Sequence, residues 1–439
     1  MKAFQITLIG IFIALGVIGT LMFAGYIPSP GGGSSRANPV TLQVWGTLPS
    51  NKITSQLDAF EVGDKVTLRY TQKQESDLEI DLLRAIASNS QPDLVIFPHE
   101  QLVTLKDSLF PIEESEGFDT RDFRNTYIEG AEIFVEGTAI SALPLLVDPM
   151  VMYWNRDTFN NERITQVPDT WTNVIDFSNQ VTKRDSRGKI LESAIALGEA
   201  DNINYFKNIL SLLLLQAGDD VVARDANGTP QVVLGNNIPG QASGQPPAES
   251  ALSFYSGFSD PVKRHYSWNT SLQPSANAFS LGDLALYLAP ASEYENIKSR
   301  NPLLNYDVAP VPQLEVGTDA NYGTIYAVGI VKNSPNFNQA FPAAFFLSFA
   351  SQENQRLLED IFFLPSARRD LLSGGSTDPV MSVFYDGAII TRTWLDPNPG
   401  ATENVFRKMV RDVSINVTDA GQAIVTAKNA LRSLVNQAQ

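Results

Sequence analysis

Apolar positions along this chain follow two periods, and the periods take turns. Val40–Trp45 and Lys65–Tyr70 carry short runs of strand type. Asp77–Ala87 instead sets Leu78, Ile80, Leu82, Leu83 and Ile86 at helical spacing, and the apolar run Asp93–Phe97 follows as a buried strand. The alternation resumes further on. A helix is expected over Thr170–Val181 with Thr170 as its cap. A strand follows over Ala194–Leu197, then an apolar helix over Ile203–Gln216 and a Gly/Pro/Gln/Asn loop over Gly235–Pro247. Leu284–Leu288, Tyr306–Val308 and Thr324–Ile330 are expected strands, and Phe341–Phe349 a buried helix. The tail from Ala401 is helical, with Ala420–Val435 amphipathic. Strands alternating with helices imply parallel pairing and an α/β architecture.

Between residues 138 and 159 the pattern changes. Thr138–Leu143 and Met150–Trp154 are both too short for a globular helix and are expected to be two strands. Asp148 lies between them in a connection bounded by Pro144 and Pro149, either solvated or facing a cleft. Pro149 cannot donate a ladder hydrogen bond, so pairing is expected to break beside it. That suits a crossing point between two lobes, the arrangement expected of a 439-residue chain. In open α/β sheets ligands bind beyond the carboxyl ends of the strands. The places indicated are Trp45-Gly46-Thr47, Phe97-Pro98-His99-Glu100 and the turn from Gly198 to Asn202.

The N-terminus adds a targeting element. Phe4–Tyr26 is an apolar run of bilayer-spanning length, preceded only by the charge of Lys2. Met22-Phe23-Ala24 is a poor cleavage site. An uncleaved transmembrane anchor over residues 1–27 is therefore expected, with a Gly/Ser/Pro tether over 28–39. A cleaved signal peptide is the alternative. Either places the globular part on the extracytoplasmic side, and the anchor would hold it at the cell membrane.

Net charge and composition remove several functions. At −16 the chain lacks the basic footprint of a nucleic-acid binder. It has no cysteine, and only two histidines, His99 and His265, so no metal centre or cofactor site is expected. GxSxG, P-loop, HExxH and Gly-rich dinucleotide motifs are all missing from the sequence. Paired carboxylates, as in a glycoside hydrolase or lyase, are the remaining chemistry. With 48 acidic residues such pairs arise by chance.

VTLQVWG (Val40–Gly46), PDLVIF (Pro92–Phe97), ALPLLVDPMVMYWNRDTF (Ala142–Phe159), FSLGDLALYLAP (Phe279–Pro290), NYDVAPVPQ (Asn305–Gln313) and LPSARRDLL (Leu364–Leu372) stand in this order. Together they resemble the family 1 extracellular solute-binding proteins, the group that includes maltose-binding protein. The resemblance implies a two-lobed periplasmic-binding-protein-like fold with a central ligand cleft. Residues 40–146 and 326–362 would form lobe 1, and 147–325 and 363–439 lobe 2, with crossings at Leu146–Pro149 and Gly323–Ala327. It also implies lobe closure on a small solute and delivery to the permease subunits of an ABC importer, by a protein expected to be a monomer and not an enzyme. A neutral carbohydrate or related polyol is the expected ligand. A membrane-tethered ligand sensor is a further reading that the anchor allows.

The resemblance also implies site residues. The loop Gly46-Thr47-Leu48 would touch ligand, His99-Glu100 resemble a His-Asp pair, and Asp148 resembles an acidic hinge residue that binds sugar hydroxyls. Asp201 and Asn202 fall at a polar-aromatic contact, Ala291-Ser292 stand where a stacking tryptophan is usual, and Phe406 replaces a second aromatic. A tryptophan can offer its face to sugar C–H groups. Trp45 at a strand end, Trp268 with Asn269 in a polar segment, and Trp394 in a loop context are the candidates. Trp154 and Trp171 are read as structural, Asp93 as a structural acid, and Arg368-Arg369 as a surface pair.

Overall fold

The computed structural model describes residues 39–438 except 64, 117, 226–227 and 237–245. The expected anchor, the tether up to residue 38 and most of the Gly235–Pro247 loop lie outside the described residues. Among the described residues no helix is long and apolar enough to cross a membrane.

β1 (Val40–Gly46) and β2 (Val66–Gln72) pair in parallel, with Val40 opposite Val66. α1 (Leu78–Ala87) buries Leu78, Leu82 and Ala85 and leaves Ile80 and Leu83 about half exposed. β3 (Leu94–Pro98) is buried at all five positions and joins the other edge of β1 in parallel. A strand covered on both faces needs a continuous apolar run, as this one has. Asp93 just before it is buried. It accepts from Gln43 N at 2.8 Å and from Ser334 Oγ at 2.6 Å, a structural acid.

The second half follows from β4 (Leu143–Asn155), α2 (Trp171–Val181), β5 (Ile190–Ile195), α3 (Phe206–Gln216) and α4 (Pro247–Gly257). Then come β6 (Leu284–Pro290), β7 (Tyr306–Ala309) and β8 (Asn321–Ile330). The helices α5 (Phe337–Phe345), α6 (Gln352–Phe362), α7 (Pro379–Ile389), α8 (Pro399–Ser414) and α9 (Ala420–Gln437) complete the chain. Thr170 caps α2 as expected, its Oγ1 accepting from Asn173 N. The strands form one sheet in the order β2, β1, β3, β8, β4, β6, β5, ending on the two-residue strand Lys183–Arg184. β1 is parallel to both its neighbours and β6 to β5, while β3–β8, β8–β4 and β4–β6 are antiparallel.

β4 corrects the expectation of two strands flanking a connection. It is one strand of 13 residues, and Asp148 and Pro149 are strand positions inside it. The prolines are tolerated because of where they fall. The ladder to β8 ends at Pro149, opposite Gly323, and the ladder to β6 begins at Met150, opposite Pro290. The missing donor thus sits where the strand changes partner. Pro144 lies beside a register shift between Tyr326 and Ala327, an irregularity that relieves the ladder there. Gly323 is required by close approach: a Cβ on it would stand 2.9 Å from both Asp148 O and Pro149 Cα.

Three boundaries also move. Thr138–Leu143 is not a single strand: Ala139–Ile140 pairs with Val135–Glu136, and Leu143 opens β4. α3 starts at Phe206, not Ile203, because Tyr205 is left-handed, with φ 60°. Pro247 opens α4. Arg368 is buried rather than at the surface, bonding Asp370 and the carbonyl of Phe349. The segment before it runs beside β4, with Ala367 N donating to Leu145 O at 3.0 Å.

Candidate functional site

A cavity of about 710 Å³ opens at the carboxyl ends of β3 and β6 and over the middle of β4 and β8. That is where an open α/β sheet places its ligand. The segment leading into α1 contributes Glu75 and Ser76, and the turn after β3 contributes Glu100 and Gln101. From the other half come Tyr205 and Lys207 at the start of α3, Ser292 after β6, and Asn398 and Glu403 at the start of α8. Asp148 of β4 and Thr324 of β8 face each other directly in the ladder and both line the cavity.

Glu100 is held by β8. Its Oε1 accepts from Thr324 Oγ1 at 2.8 Å and from Tyr322 Oη at 3.2 Å. Its Oε2 is buried and accepts no hydrogen bond among the described residues, with His99 Nδ1 3.1 Å away. His99 beside it is fully buried, and its Nδ1 accepts from Ile325 N at 3.2 Å. Burial lowers its basicity, so the ring is neutral with its proton on Nε2, which finds no acceptor among the described residues. His99 therefore braces the turn against β8, and Glu100 faces the cavity.

Asp148 is 4 % exposed, far less open than a solvated hinge residue. Its Oδ1 accepts from the backbone N–H of Ser292 at 2.9 Å. Burial is the main cause that pushes its carboxyl up to about 6, with the Ser292 hydrogen bonds opposing. Glu75 stands open to the cavity water, but the protein crowded around it, and secondarily the charge of Glu100, raise its carboxyl to about 7.

Tyr205 half-buries its ring in the cavity wall with a backbone that a bulky residue adopts rarely. Strain of this kind persists where the surroundings enforce it, and it concentrates at functional sites. Lys207 is the one cation among the described lining residues, and it is engaged: Nζ donates to Asp396 at 2.5 Å.

Several expected site residues stand elsewhere. Trp268 is fully buried; its Nε1 donates to Asn202 Oδ1 at 3.0 Å. Asn202 in turn donates to the carbonyls of Asn269 and Leu272, so Asn202 and Asn269 tie a loop together. Trp394 and Phe406 stack on each other in the core, rings 5.8 Å apart and nearly parallel, with Trp394 Nε1 donating to Ser211 Oγ. Asp201 pairs with Arg407 at 3.0 Å. Trp45 lies under Lys73 Nζ at 3.9 Å, and Thr47 hydrogen-bonds β3 through its backbone. None of these eight lines the cavity; Glu100, Asp148 and Ser292 do. Of the lining residues not foreseen, Tyr322, Thr324 and Tyr326 had a signal: they recur at every second position of β8, hence on one face. Glu75 sits in a polar connection without periodicity, and Tyr205 and Lys207 at the polar start of a helix whose apolar body gave no sign of a site.

The polar cleft thus lies over the place where β4 changes partner in an α/β sheet. A family model described as bacterial extracellular solute-binding protein matches residues 55–372, more than half of the chain, and the protein belongs to that family. Its folded part accordingly works outside the cytoplasm and binds a solute rather than transforming one. No curated protein matches the chain. Among solved structures it is similar to the cyclic α-maltosyl-1,6-maltose-binding protein of Arthrobacter globiformis, at TM-score 0.73 and 15% identity over 91% of this chain and 100% of that one. A cyclo/maltodextrin-binding protein complexed with maltotetraose gives TM-score 0.71 at 16% identity, over 91% and 98%. An ABC transporter solute-binding protein of Thermotoga lettingae bound with α-D-tagatose gives 0.66 at 17%, over 90% and 99%. At these identities the likeness is one of fold.

Proposed function

We propose that this protein captures a carbohydrate or related polyol between two lobes that close over it, and hands it to an ABC-type importer. One observation carries the reading: a single cavity is walled by Glu75, Glu100 and Gln101 on one side and by Tyr205, Ser292 and Asn398 on the other, with Asp148 and Thr324 of the crossing strands between them. Residues 40–146 with 326–362 form one lobe, and 147–325 with 363–439 the other. Only the closed form lets one solute touch both walls. The solute therefore has a higher affinity for that form and shifts the population toward it. The sugar-bound relatives and the ABC transporter protein among them support the ligand class and the importer. The protein acts as a monomer, held at the cell membrane by an uncleaved helix within residues 1–27 and the tether 28–39.

The test is a thermal-shift screen with sugars, polyols, amino acids and peptides, followed by small-angle scattering with the best hit. Ligand raises the melting temperature by mass action. Closure shrinks the radius of gyration; an unchanged radius at saturation rejects it. Peptides from before residue 28, recovered from the membrane fraction, establish the anchor.

A further inference from the structure

The cavity is lined by five carboxylates, Glu75, Glu79, Glu100, Asp148 and Glu403, against the single ammonium of Lys207. Two of these six charges are already answered from outside it. Lys207 is spent on Asp396, and Glu403 meets Arg407 at 2.7 Å. Glu75, Glu79 and Asp148 have no cation of the described residues in an ion pair with them, and the ring nearest Glu100 Oε2, His99 with Nδ1 at 3.1 Å, is neutral. The hydrogen-bond inventory is skewed the same way. Gln101, 5 % exposed, turns its Nε2 to Glu75 O at 2.5 Å, which fixes the amide and leaves its Oε1 without a partner among the described residues. Glu100 Oε2 is likewise unanswered, while the hydroxyls of Tyr322 and Thr324 are used up on Oε1.

A neutral sugar hydroxyl brings one donor and two acceptors, and so asks the wall for donors as well. An ammonium brings three donors and no acceptor. The buried atoms of this wall left without a partner among the described residues, Glu100 Oε2 and Gln101 Oε1, are both acceptors, and its spare donors, the amide of Asn398 among them, are neutral. We propose that the solute held in this cleft is cationic, a sugar-sized polyol whose protonated amine sits among Glu75, Glu100 and Asp148. The inference rests on the cleft being the solute site. The carboxyls of Glu75 and Asp148, raised mainly by burial, agree with it: the charge of Glu100 adds to both, and a cation between them removes that repulsion. The chain's net charge of −16 draws cations toward the cleft and repels anions.

Calorimetric titration of the full-length protein with four probes decides the matter: chitotriose with free amines, its N-acetylated counterpart, maltotriose and spermidine. The free-amine sugar is expected to bind at least tenfold tighter than the N-acetylated one, and to weaken as salt is raised. Glu100→Gln should reduce that preference about tenfold. Glu75→Gln, at an exposed position, should do the same should the first variant fold poorly. Equal or tighter binding of maltotriose overturns the cationic solute and leaves the carbohydrate reading standing. Spermidine binding without any sugar keeps the charge and overturns the carbohydrate. Binding of neither amine overturns the proposal, as does a preference untouched by both variants.

Discussion

Asp148 Oδ1 and the backbone N–H of Ser292 meet at 2.9 Å, joining the middle of β4 to the end of β6 at the point where β4 changes partner. The bond makes Asp148 both a wall of the cavity and the acceptor for the turn that opens the following helix, Glu293–Arg300.

The same carboxylate sets a pH dependence. Its folded value of about 6 exceeds the ordinary carboxylate value, because burial disfavours the charge. Below pH ~4 it is protonated in both the folded and unfolded states. Above about 6 it is ionised in both, and the folded state alone bears the burial penalty, on the order of 3 kcal/mol. Stability therefore falls as pH rises from ~4 to ~6. Glu75 and Asp219, both raised by burial, act in the same sense. The ligand-free melting temperature should rise on going from pH 7.5 to 5. Asp148→Asn, which keeps the Oδ1 acceptor, should flatten that rise without abolishing it, and should weaken ligand binding about tenfold. A melting curve that falls over this interval contradicts the assignment.

Trp268 gives a prediction that separates packing from binding. It is fully buried with its indole N–H satisfied by Asn202. Trp268→Phe should lower the melting temperature, since it loses ring volume and orphans the Asn202 oxygen, at roughly 1–3 kcal/mol. It should leave ligand affinity within about twofold. A large loss of affinity with an unchanged melting curve would make the residue part of the site.

Why Trp268 drew attention in the sequence is instructive. HYSWNTSLQ is polar, and polarity suggested exposure; in the fold those polar groups bond to one another and to Asn202, which also takes the buried indole N–H. The flanks of Trp394 mislead similarly, since Ser211 on α3 takes its N–H. Local composition cannot distinguish a polar group that serves water from one that serves a buried donor. The change of pairing was legible, because a proline inside an apolar run marks where a ladder must change, and β4 changes partner beside Pro149. Its continuity was not, because that depends on β6 and β8 arriving from far along the chain. Tyr205 was hidden for a third reason: a left-handed tyrosine is decided by what surrounds it, not by its own preference.

Gly323 tests the crossing itself. A methyl group there would stand 2.9 Å from the backbone of Asp148 and Pro149, where a flexible side chain cannot simply move aside. Gly323→Ala should force β8 away from β4, destabilise by about 1–3 kcal/mol and weaken ligand binding through the displaced Thr324 and Asp148. Melting curves and titration of this variant, beside Gly375→Ala, measure it. Gly375 has open space around its Cβ position and lies away from the cavity, so its variant shows only the backbone effect of its positive φ. Equal losses in the two would mean that the close approach at Gly323 is not what matters.

Tyr205 is the remaining residue whose conformation and position point the same way. A left-handed backbone disfavours a bulky residue by roughly 1–2 kcal/mol, and glycine escapes that penalty. Tyr205→Gly thus trades lost packing of a half-buried ring for a relaxed turn at the start of α3. The two terms are of similar size, so the melting temperature should move by no more than a few degrees. Affinity should nonetheless drop ten- to a hundredfold, because the ring is a wall of the cavity. Tyr205→Phe keeps the ring and the strained turn and removes the hydroxyl alone; it should retain most of the affinity if the face carries the contact. Titration of both variants against the best ligand, with melting curves alongside, reads the result. A Tyr205→Gly protein that binds as well as the parent would show that the strain at this position serves the fold and not the ligand.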